Sequence, residues 1–396
     1  MSVFDRRYEM MPRAELEQLQ LERLQALLVR VRRSVRRYRE RLADIRVETL
    51  ANVAKLPVTT PDDMIEAFPY GMFALPLREV IRLHSTMGPD GRPLVIGHTR
   101  NDLAQWGRLA ARQFAAGGVT ANDVIQVCLG EGLQRGTSGY ELGAEQIQAP
   151  VIAEDPFHID YQLAMLQNYR PTMLVTTPTN AIELVRMMEQ RKIDPPSLNL
   201  RTVLLSRPVD DETRDQIRAG LLVAVKCNFG VDEVLNPGLC VECESGQFHV
   251  NEDHFLVETH SGELIVTTLG REAMPLLRYA TRLSCEIVHE KCSCGRTGAI
   301  LKPGPRLDRR LRVREMSVYE EQIAEVLNQM LPAERPFRID VLERQVLISV
   351  QMTADIFTDT VWPIANLQRE IESEVLARLG IDAEVRFRQT CPLTQP

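Results

Sequence analysis

Lysine is nearly missing from this chain: five occur against 42 arginines in 396 residues, and none follows Lys302. A site that needs a flexible ammonium group has few places to find one. Long apolar runs are missing too. No window holds the ~18 apolar residues that spanning a bilayer requires, and MSVFDRRYEMMPRAE at the front has no apolar core of the kind a secretion signal needs. The expectation is a cytoplasmic protein with no membrane partner. Charge of one sign is not in excess either. With 47 basic against 54 acidic residues the net charge is −7, which gives no global field for nucleic acid and points to a small-molecule or protein partner. The eight cysteines are too sparse for a disulfide framework, and four of them fall in a CxxC and a CxC pair, which in a reducing compartment points to metal.

What is present suffices for one large core and a smaller attached domain, since 44% of the residues are apolar and single cores stop growing near ~250–300 residues. Residues 13–44 read as one amphipathic helix, with Leu16, Leu19, Leu21, Leu24, Leu27 and Leu28 at short intervals and a strongly basic run from Arg30 to Arg41. That basic face is read as solvated rather than as a nucleic-acid surface. Residues 80–102 read as strand, glycine turn, strand and a Thr99–Asp102 cap opening a helix at Leu103. In the next unit DVIQVCLGEG runs into the glycine-rich GEGLQRGTSGYELGAE. Strands at 150–152, 173–176 and 201–205 then alternate with helices at 161–168, 179–190 and 211–221, which argues for a parallel sheet covered on both faces. From Cys240 the pattern turns to strands (FHV, HFLVETH, ELIVTTL), bounded by Gly246, Asn251 and Gly262. Beyond Pro303 it reads helix 318–330, strands 337–342 and 345–352, and helix 362–379. The expectation is an α/β protein with a large domain at 1–305 and a small α+β domain at 306–396.

Chemistry concentrates between Phe229 and Arg296. Cys240 and Cys243 form CxxC, His249 follows six residues later, and Cys292 and Cys294 form CxC before Gly295, so soft donors gather without an apolar reason to do so. A closed zinc site takes four nitrogen or sulfur ligands in a tetrahedron, and spacing leaves open whether His249 or Cys240 is the fourth. The bland alternative is a set of reduced, buried thiols. In the same stretch GELIVTTLGREAMPLLRY, NEDHF and CSCGRT resemble the phenylacetate-CoA ligase branch of the adenylate-forming enzymes, and the likeness runs from the first helix to about residue 385. The resemblance implies the adenylate-forming fold: a large domain of mostly parallel sheets covered by helices, a β-rich zinc-clipped region, and a small C-terminal domain. It also implies Cys243, His249, Cys292 and Cys294 as ligands of a structural zinc.

Activating a carboxylate with ATP needs a glycine loop for the phosphates, an acid for the ribose, an acid for magnesium and a lysine for the developing charge. By the resemblance the phosphate loop falls on Thr86 to Pro93, after His84 and Ser85. It keeps Gly88, Gly91 and Arg92, but Met87 replaces a hydroxyl, Pro89 lacks an N–H, and Asp90 puts a carboxylate where phosphate oxygens approach. The adenine-side turn falls on Leu205 to Pro208, with Arg207 reversing a charge. Phe229 and Gly230 open the FGVDE turn, whose Glu233 matches the magnesium-associated acid. Arg282 is kept, but the ribose acid is Leu283; Arg309 replaces a hinge aspartate, Arg314 is kept, and no lysine stands in the place of the family's C-terminal one.

The same resemblance makes Glu233 and Arg282 the catalytic candidates, and Gly88, Gly91, Arg92, Phe229, Gly230 and Arg314 the cofactor-binding ones. Gly132, Leu133, Gly136 and Gly139 match the family's aryl pocket, where a row of glycines at a βα turn lets a ligand approach the backbone or simply permits tight packing. Two functions follow. The chain is a ligase that joins an aryl or acyl carboxylate to coenzyme A using ATP and magnesium. Alternatively, it is an inactive or repurposed member serving a biosynthetic pathway as a binding partner or an ATP-independent acyl transferase. Either takes a small carboxylic acid or its thioester, and the resemblance implies a homodimer.

Overall fold

The protein is described here from a computed structural model that covers residues 3–88, 92–129, 134–153, 159–313, 316–331, 336–342, 345–351 and 361–388. The expected single basic helix is corrected. After a short α1 (Arg6–Glu9), α2 (Arg13–Ser34) stops at Val35, which takes extended angles of φ −106° and ψ 111° before α3 (Arg36–Arg41). A β-branched residue accepts those angles readily, and the break leaves Val35 and Tyr38 buried in one cluster with Leu24, Leu27, Leu28 and Val31 of α2. The arginines also do more than face water. Arg23, Arg30 and Arg32 donate to the backbone carbonyls of Asp253, Arg271 and Ile45, and Arg37 and Arg41 bind Asp63 of α4 (Pro61–Glu66).

A two-stranded sheet of β1 (Arg82–Met87) and β2 (Pro93–His98) leads to α5 (Arg100–Ala116). Thr99 caps that helix by accepting from Asp102 N, and Asp102 returns the bond to Thr99 N, both at 3.0 Å, so the helix starts at Arg100 rather than at Leu103. Then come β3 (Ile125–Cys128), α6 (Gln134–Ile147), β4 (Val151–Ala153), α7 (Ile159–Tyr169), β5 (Met173–Thr176), α8 (Pro178–Arg191), β6 (Thr202–Leu205), α9 (Asp211–Leu221) and β7 (Ala224–Cys227). The five strands are parallel in the order β4-β3-β5-β6-β7. Strands β3, β5 and β6 are buried along their whole length, as helices on both faces require. β7 was not expected from the sequence, because Leu221, Leu222, Val223 and Val225 run on from α9 as one apolar stretch.

The next six strands are antiparallel in the order β10-β11-β12-β13-β9-β8: β8 (Cys240–Glu242), β9 (Phe248–Val250), β10 (Phe255–His260), β11 (Glu263–Thr268), β12 (Tyr279–Val288) and β13 (Ile300–Arg306). A two-residue turn joins β10 to β11, with Ser261 and Gly262 at φ 52° and 80° between the paired His260 and Glu263.

The chain divides into two compact units, one of Met1–Thr86 with Pro93–Leu307 and one of Met87–Arg92 with Asp308–Pro396. The second contains β14 (Arg310–Val313), β15 (Met316–Tyr319), α10 (Glu320–Met330), β16 (Phe337–Val341), β17 (Gln345–Gln351), α11 (Val361–Leu379) and β18 (Asp382–Arg388), with a core that includes Ile323, Ile348, Ile371 and Val385. The helix expected from residue 318 begins at Glu320 because residues 316–319 pair with 310–313. Among the described residues, no helix is long and apolar enough to cross a membrane.

Candidate metal centre and ligand edge

Two tight turns bring the soft donors together. Between β8 and β9, Cys243 N donates to Gln247 O at 2.9 Å and Gly246 N to Cys243 O at 3.0 Å, with Gly246 at φ 76°, so Cys243 sits at the start of the turn and His249 in the strand that leaves it. In the CxCG segment Gly295 takes φ 73° and donates to Cys292 O at 3.0 Å, which folds Cys292 and Cys294 into one knuckle. One ligand atom from each of Cys243, His249, Cys292 and Cys294 lies within 4.8 Å of the others. The sulfurs of Cys243 and Cys292 are 3.8 Å apart, and Cys294 Sγ is 3.3 Å from His249 Nε2. A tetrahedral zinc with Zn–S bonds of about 2.3 Å would hold its sulfurs about 3.8 Å apart. His249 Nδ1 donates to Gly298 O at 2.9 Å, which fixes the tautomer and leaves Nε2 as the lone-pair nitrogen facing the thiols. Cys240 stands apart in the main core, where burial pushes its thiol well above the usual range.

Phe229, Gly230 and Glu233 follow the carboxyl end of β7 in the parallel sheet. After β7, Asn228 donates to Asn236 Oδ1 at 2.6 Å, and Asn236 in turn donates to Asp232 Oδ1 at 2.7 Å. This pins the turn that carries Phe229, Gly230 and the buried Glu233. A Cβ at Gly230 would meet Asn236 Oδ1 at 2.5 Å, so glycine is required there. Phe229 packs on Phe248, ring centroids 6.1 Å apart. At the neighbouring end of β6, Ser206 Oγ and Arg207 Nε are buried without a hydrogen-bond partner among the described residues.

Arg282 and Leu283 lie on β12 rather than on this edge. Arg282 takes φ 59°, its N–H donates to Glu263 Oε1 at 2.6 Å, and its guanidinium lies 3.9 Å from Glu263 Oε2. Leu283 packs, partly buried, against the main core.

Gly139 lies in α6, where an added Cβ would sit 2.5 Å from Trp106 Nε1. That indole donates to Pro237 O at 2.8 Å and stacks on His98 (5.1 Å between centroids, 10° between planes), which stacks in turn on His84 at 4.9 Å. His98 Nε2 and His84 Nδ1 are 3.2 Å apart, and burial, reinforced by the nearby Arg271, pushes the His98 pKa far below the usual range. The sequence singled out His84 only as the residue before a loop. The stack arises from β1–β2 pairing and has no motif of its own. Gly88 N closes that loop on Arg92 O at 2.9 Å. Gly136 falls in α6, whereas Gly91, Gly132, Leu133, Arg314, Pro89 and Asp90 lie outside the described residues.

No protein-family model matches the chain. It is 32% identical to the phenylacetate-coenzyme A ligase of Thermus thermophilus over 402 residues, covering 96% of this chain and 88% of that one. It is 30% identical to the enzyme of the same name from Pseudomonas putida, covering 95% and 90%. Among solved structures, 2-hydroxyisobutyryl-CoA ligase in complex with 2-HIB-AMP and CoA superposes with a TM-score of 0.87 at 22% identity, covering 98% of this chain and 90% of that one. An amide bond synthetase from Marinactinospora thermotolerans superposes at 0.57 and 15% identity, covering 80% and 67%.

Proposed function

The chain belongs to the phenylacetate-coenzyme A ligase family, and from that premise we propose that it binds a small carboxylic acid or its coenzyme A thioester while having lost ordinary ATP-driven adenylation. One observation carries the reading: at the position where the family resemblance calls for a ribose-binding acid, Leu283 packs its side chain against the main core. An aliphatic group accepts no hydrogen bond from a ribose hydroxyl. The neighbouring Arg282, the kept basic residue, has its charge answered by Glu263. Loss of one preorganised polar partner typically costs ~10²–10³ in rate, and Asp90 in the phosphate loop compounds it.

Gly88, Gly91 and Arg92 would form what remains of the phosphate loop, and Glu233, beside Phe229 and Gly230, would hold magnesium if nucleotide entered. Arg314 would serve the same nucleotide, and Gly132, Leu133, Gly136 and Gly139 would line the acid's pocket. Retention of Glu233 supports the second reading, a complete ligase using ATP, magnesium and coenzyme A. Pyrophosphate exchange together with calorimetry of ATP·Mg decides between them. A ligand at a hundred times its Kd would raise stability by ~2.7 kcal/mol. Our reading expects no exchange and no such rise at millimolar ATP, and clear exchange above a no-enzyme control would overturn it.

The Cys243, His249, Cys292 and Cys294 cluster is read as a closed structural zinc site, because its spacing suits a tetrahedral ion and no donor position is left over for catalysis. When bound, zinc would staple the β8–β9 turn to the CxCG knuckle. The homodimer is carried by resemblance alone and is measured directly by light scattering.

A further inference from the structure

The CxCG knuckle runs straight into the residues that hold down the segment Phe4–Arg13. Arg296, two positions after Cys294, places Nε 2.8 Å from Glu9 Oε2, with both side chains almost fully buried at 3% and 2% exposure. Through its other oxygen Glu9 accepts from the N–H groups of Phe4 (3.0 Å) and Asp5 (2.8 Å). Thr297 N donates to Glu9 O at 3.1 Å, and its hydroxyl donates to Met11 O at 2.6 Å. Arg13 Nη1 reaches Glu252 Oε2 at 2.6 Å, and that same oxygen accepts from Ala299 N at 2.7 Å. The segment is therefore tied down by residues 296–299 and by Glu252, three positions beyond His249, with longer contacts from Arg112 Nη2 to Asp5 Oδ2 at 3.5 Å and from Arg23 over the Tyr8 ring at 5.8 Å. Beneath it lies a cavity of ≈ 10 Å³ lined by Tyr8, Glu9, Arg112, His249, Glu252 and Arg296. That is room for one water, and Arg112 Nε is buried without a partner among the described residues.

The helical body that follows is held elsewhere. Arg30 donates to Arg271 O, and Tyr38 OH meets Thr59 Oγ1 at 3.0 Å and accepts from Leu277 N at 3.1 Å. None of these contacts touches the knuckle.

We propose that the metal clip is a latch for a strap formed by Phe4–Arg13. With metal bound the 292–299 loop is fixed, and Arg296 meets Glu9 in a buried site. Without metal the knuckle loosens, Arg296 and Glu9 hydrate, and the strap lifts while residues 24–42 stay docked. A buried ion pair is held only while both partners are positioned, since each ion is costly to keep from water alone. Local opening of a weakly packed segment needs far less than global unfolding. The inference rests on the metal reading of the same cluster.

Hydrogen exchange of the full-length protein tests it, read separately in peptides from residues 4–13 and 24–42, before and after chelation and after zinc chloride is returned. Metal removal is expected to speed exchange in 4–13 by at least about tenfold, to leave 24–42 unchanged, and to reverse with zinc. Arg296→Met keeps all four ligands, so it is expected to retain one zinc per chain and yet open the strap by about a hundredfold. Thr297→Val, a milder change, is expected to move exchange in the same direction by less. Equal opening of both segments, or a zinc-loaded protein whose strap is indifferent to chelation, overturns the latch alone. A chain that binds no zinc even from zinc chloride overturns the metal reading and the latch with it.

Discussion

The knuckle region and the carboxyl edge of the parallel sheet belong to one compact unit, yet their buried polar groups are bonded to different degrees. Near the knuckle, His249 has its second nitrogen on Gly298 O, Asn251 bonds Gly238 O and Arg112, and Asp253 receives two bonds from Arg112 at 2.8 Å, although Arg112 Nε is left over beside the small cavity. Along the edge, Ser206 Oγ and Arg207 Nε are buried and unanswered. A matched buried network marks a place where the fold itself depends on the contacts. Unmatched donors at a sheet edge mark a place that a ligand or water completes. The knuckle side thus carries an extended bonded network, while at the sheet edge Ser206 Oγ and Arg207 Nε stay open to a ligand or water.

Removing one group from each region gives the largest expected difference between them. Cys294→Ser in the zinc-loaded protein is expected to lose the metal and to cost on the order of 4 kcal/mol, read as a shift of the urea midpoint alongside zinc content. Arg207→Ala removes a side chain whose buried Nε has no hydrogen-bond partner among the described residues, so it is expected to stay within about 0.5 kcal/mol. Similar losses at both positions would mean that the edge is as structural as the knuckle.

A smaller effect sharpens the ligand side. Leu283→Asp restores an acceptor where the resemblance places the ribose acid, and Leu283 is only partly buried, so an ionised carboxylate there can keep contact with water. ATP·Mg affinity measured by calorimetry is expected to rise by about tenfold, the effect of ~1.4 kcal/mol from a hydrogen bond to a charged group. An unchanged affinity with a folded variant would show that position 283 does not set nucleotide affinity.

Much of the scaffold was legible in the sequence, for identifiable reasons. The strand Met173–Thr176 and helix Asp211–Leu221 match their expected bounds because turn residues bracket them and their periods are clean. Helix α2 was read too long because Val35 interrupts a basic run without any glycine or proline to mark the break. Strands β14, β15 and β18 were missed. Their arginine-rich or short segments (RLRV, MSVY, DAEVRFR) look like loop until pairing partners are known. At the knuckle, CxxC drew attention to Cys240, but strand alternation opposes it. Residues three apart on an extended chain point to opposite faces, so Cys240 goes into the core while the turn at Gly246 carries Cys243 to the knuckle. The stack of His84, His98 and Trp106 left no mark at all, since its members come from a strand pair and a helix whose register no motif encodes.

The smallest effect concerns acid. Burial pushes the Asp253 carboxyl up, but the hydrogen bonds and charge of Arg112 outweigh it and hold the carboxyl below the ordinary range. Asp123, at the opposite end of the sheet, is lowered as well: burial again pushes up, and hydrogen bonds from Thr172 and Thr120 pull down. A folded-state value below the unfolded one, ~3.9, means that each carboxylate's stabilisation is fully present above about pH 4 and is lost as pH falls through the folded value. The Asp253 carboxylate is almost fully buried, so its pairing is screened less than that of Asp123, whose partner Arg201 is 59% exposed. Urea midpoints measured from pH 7 down to about pH 3 are therefore expected to fall less steeply in Asp253→Asn than in Asp123→Asn. In Arg112→Met the slope contributed by Asp253 should reverse. The carboxyl, left buried without its partner, takes a value above the unfolded one, and its contribution then declines as pH rises. An Arg112→Met profile parallel to that of the unsubstituted protein would place the acid sensitivity outside the knuckle and remove the electrostatic half of the contrast with the sheet edge.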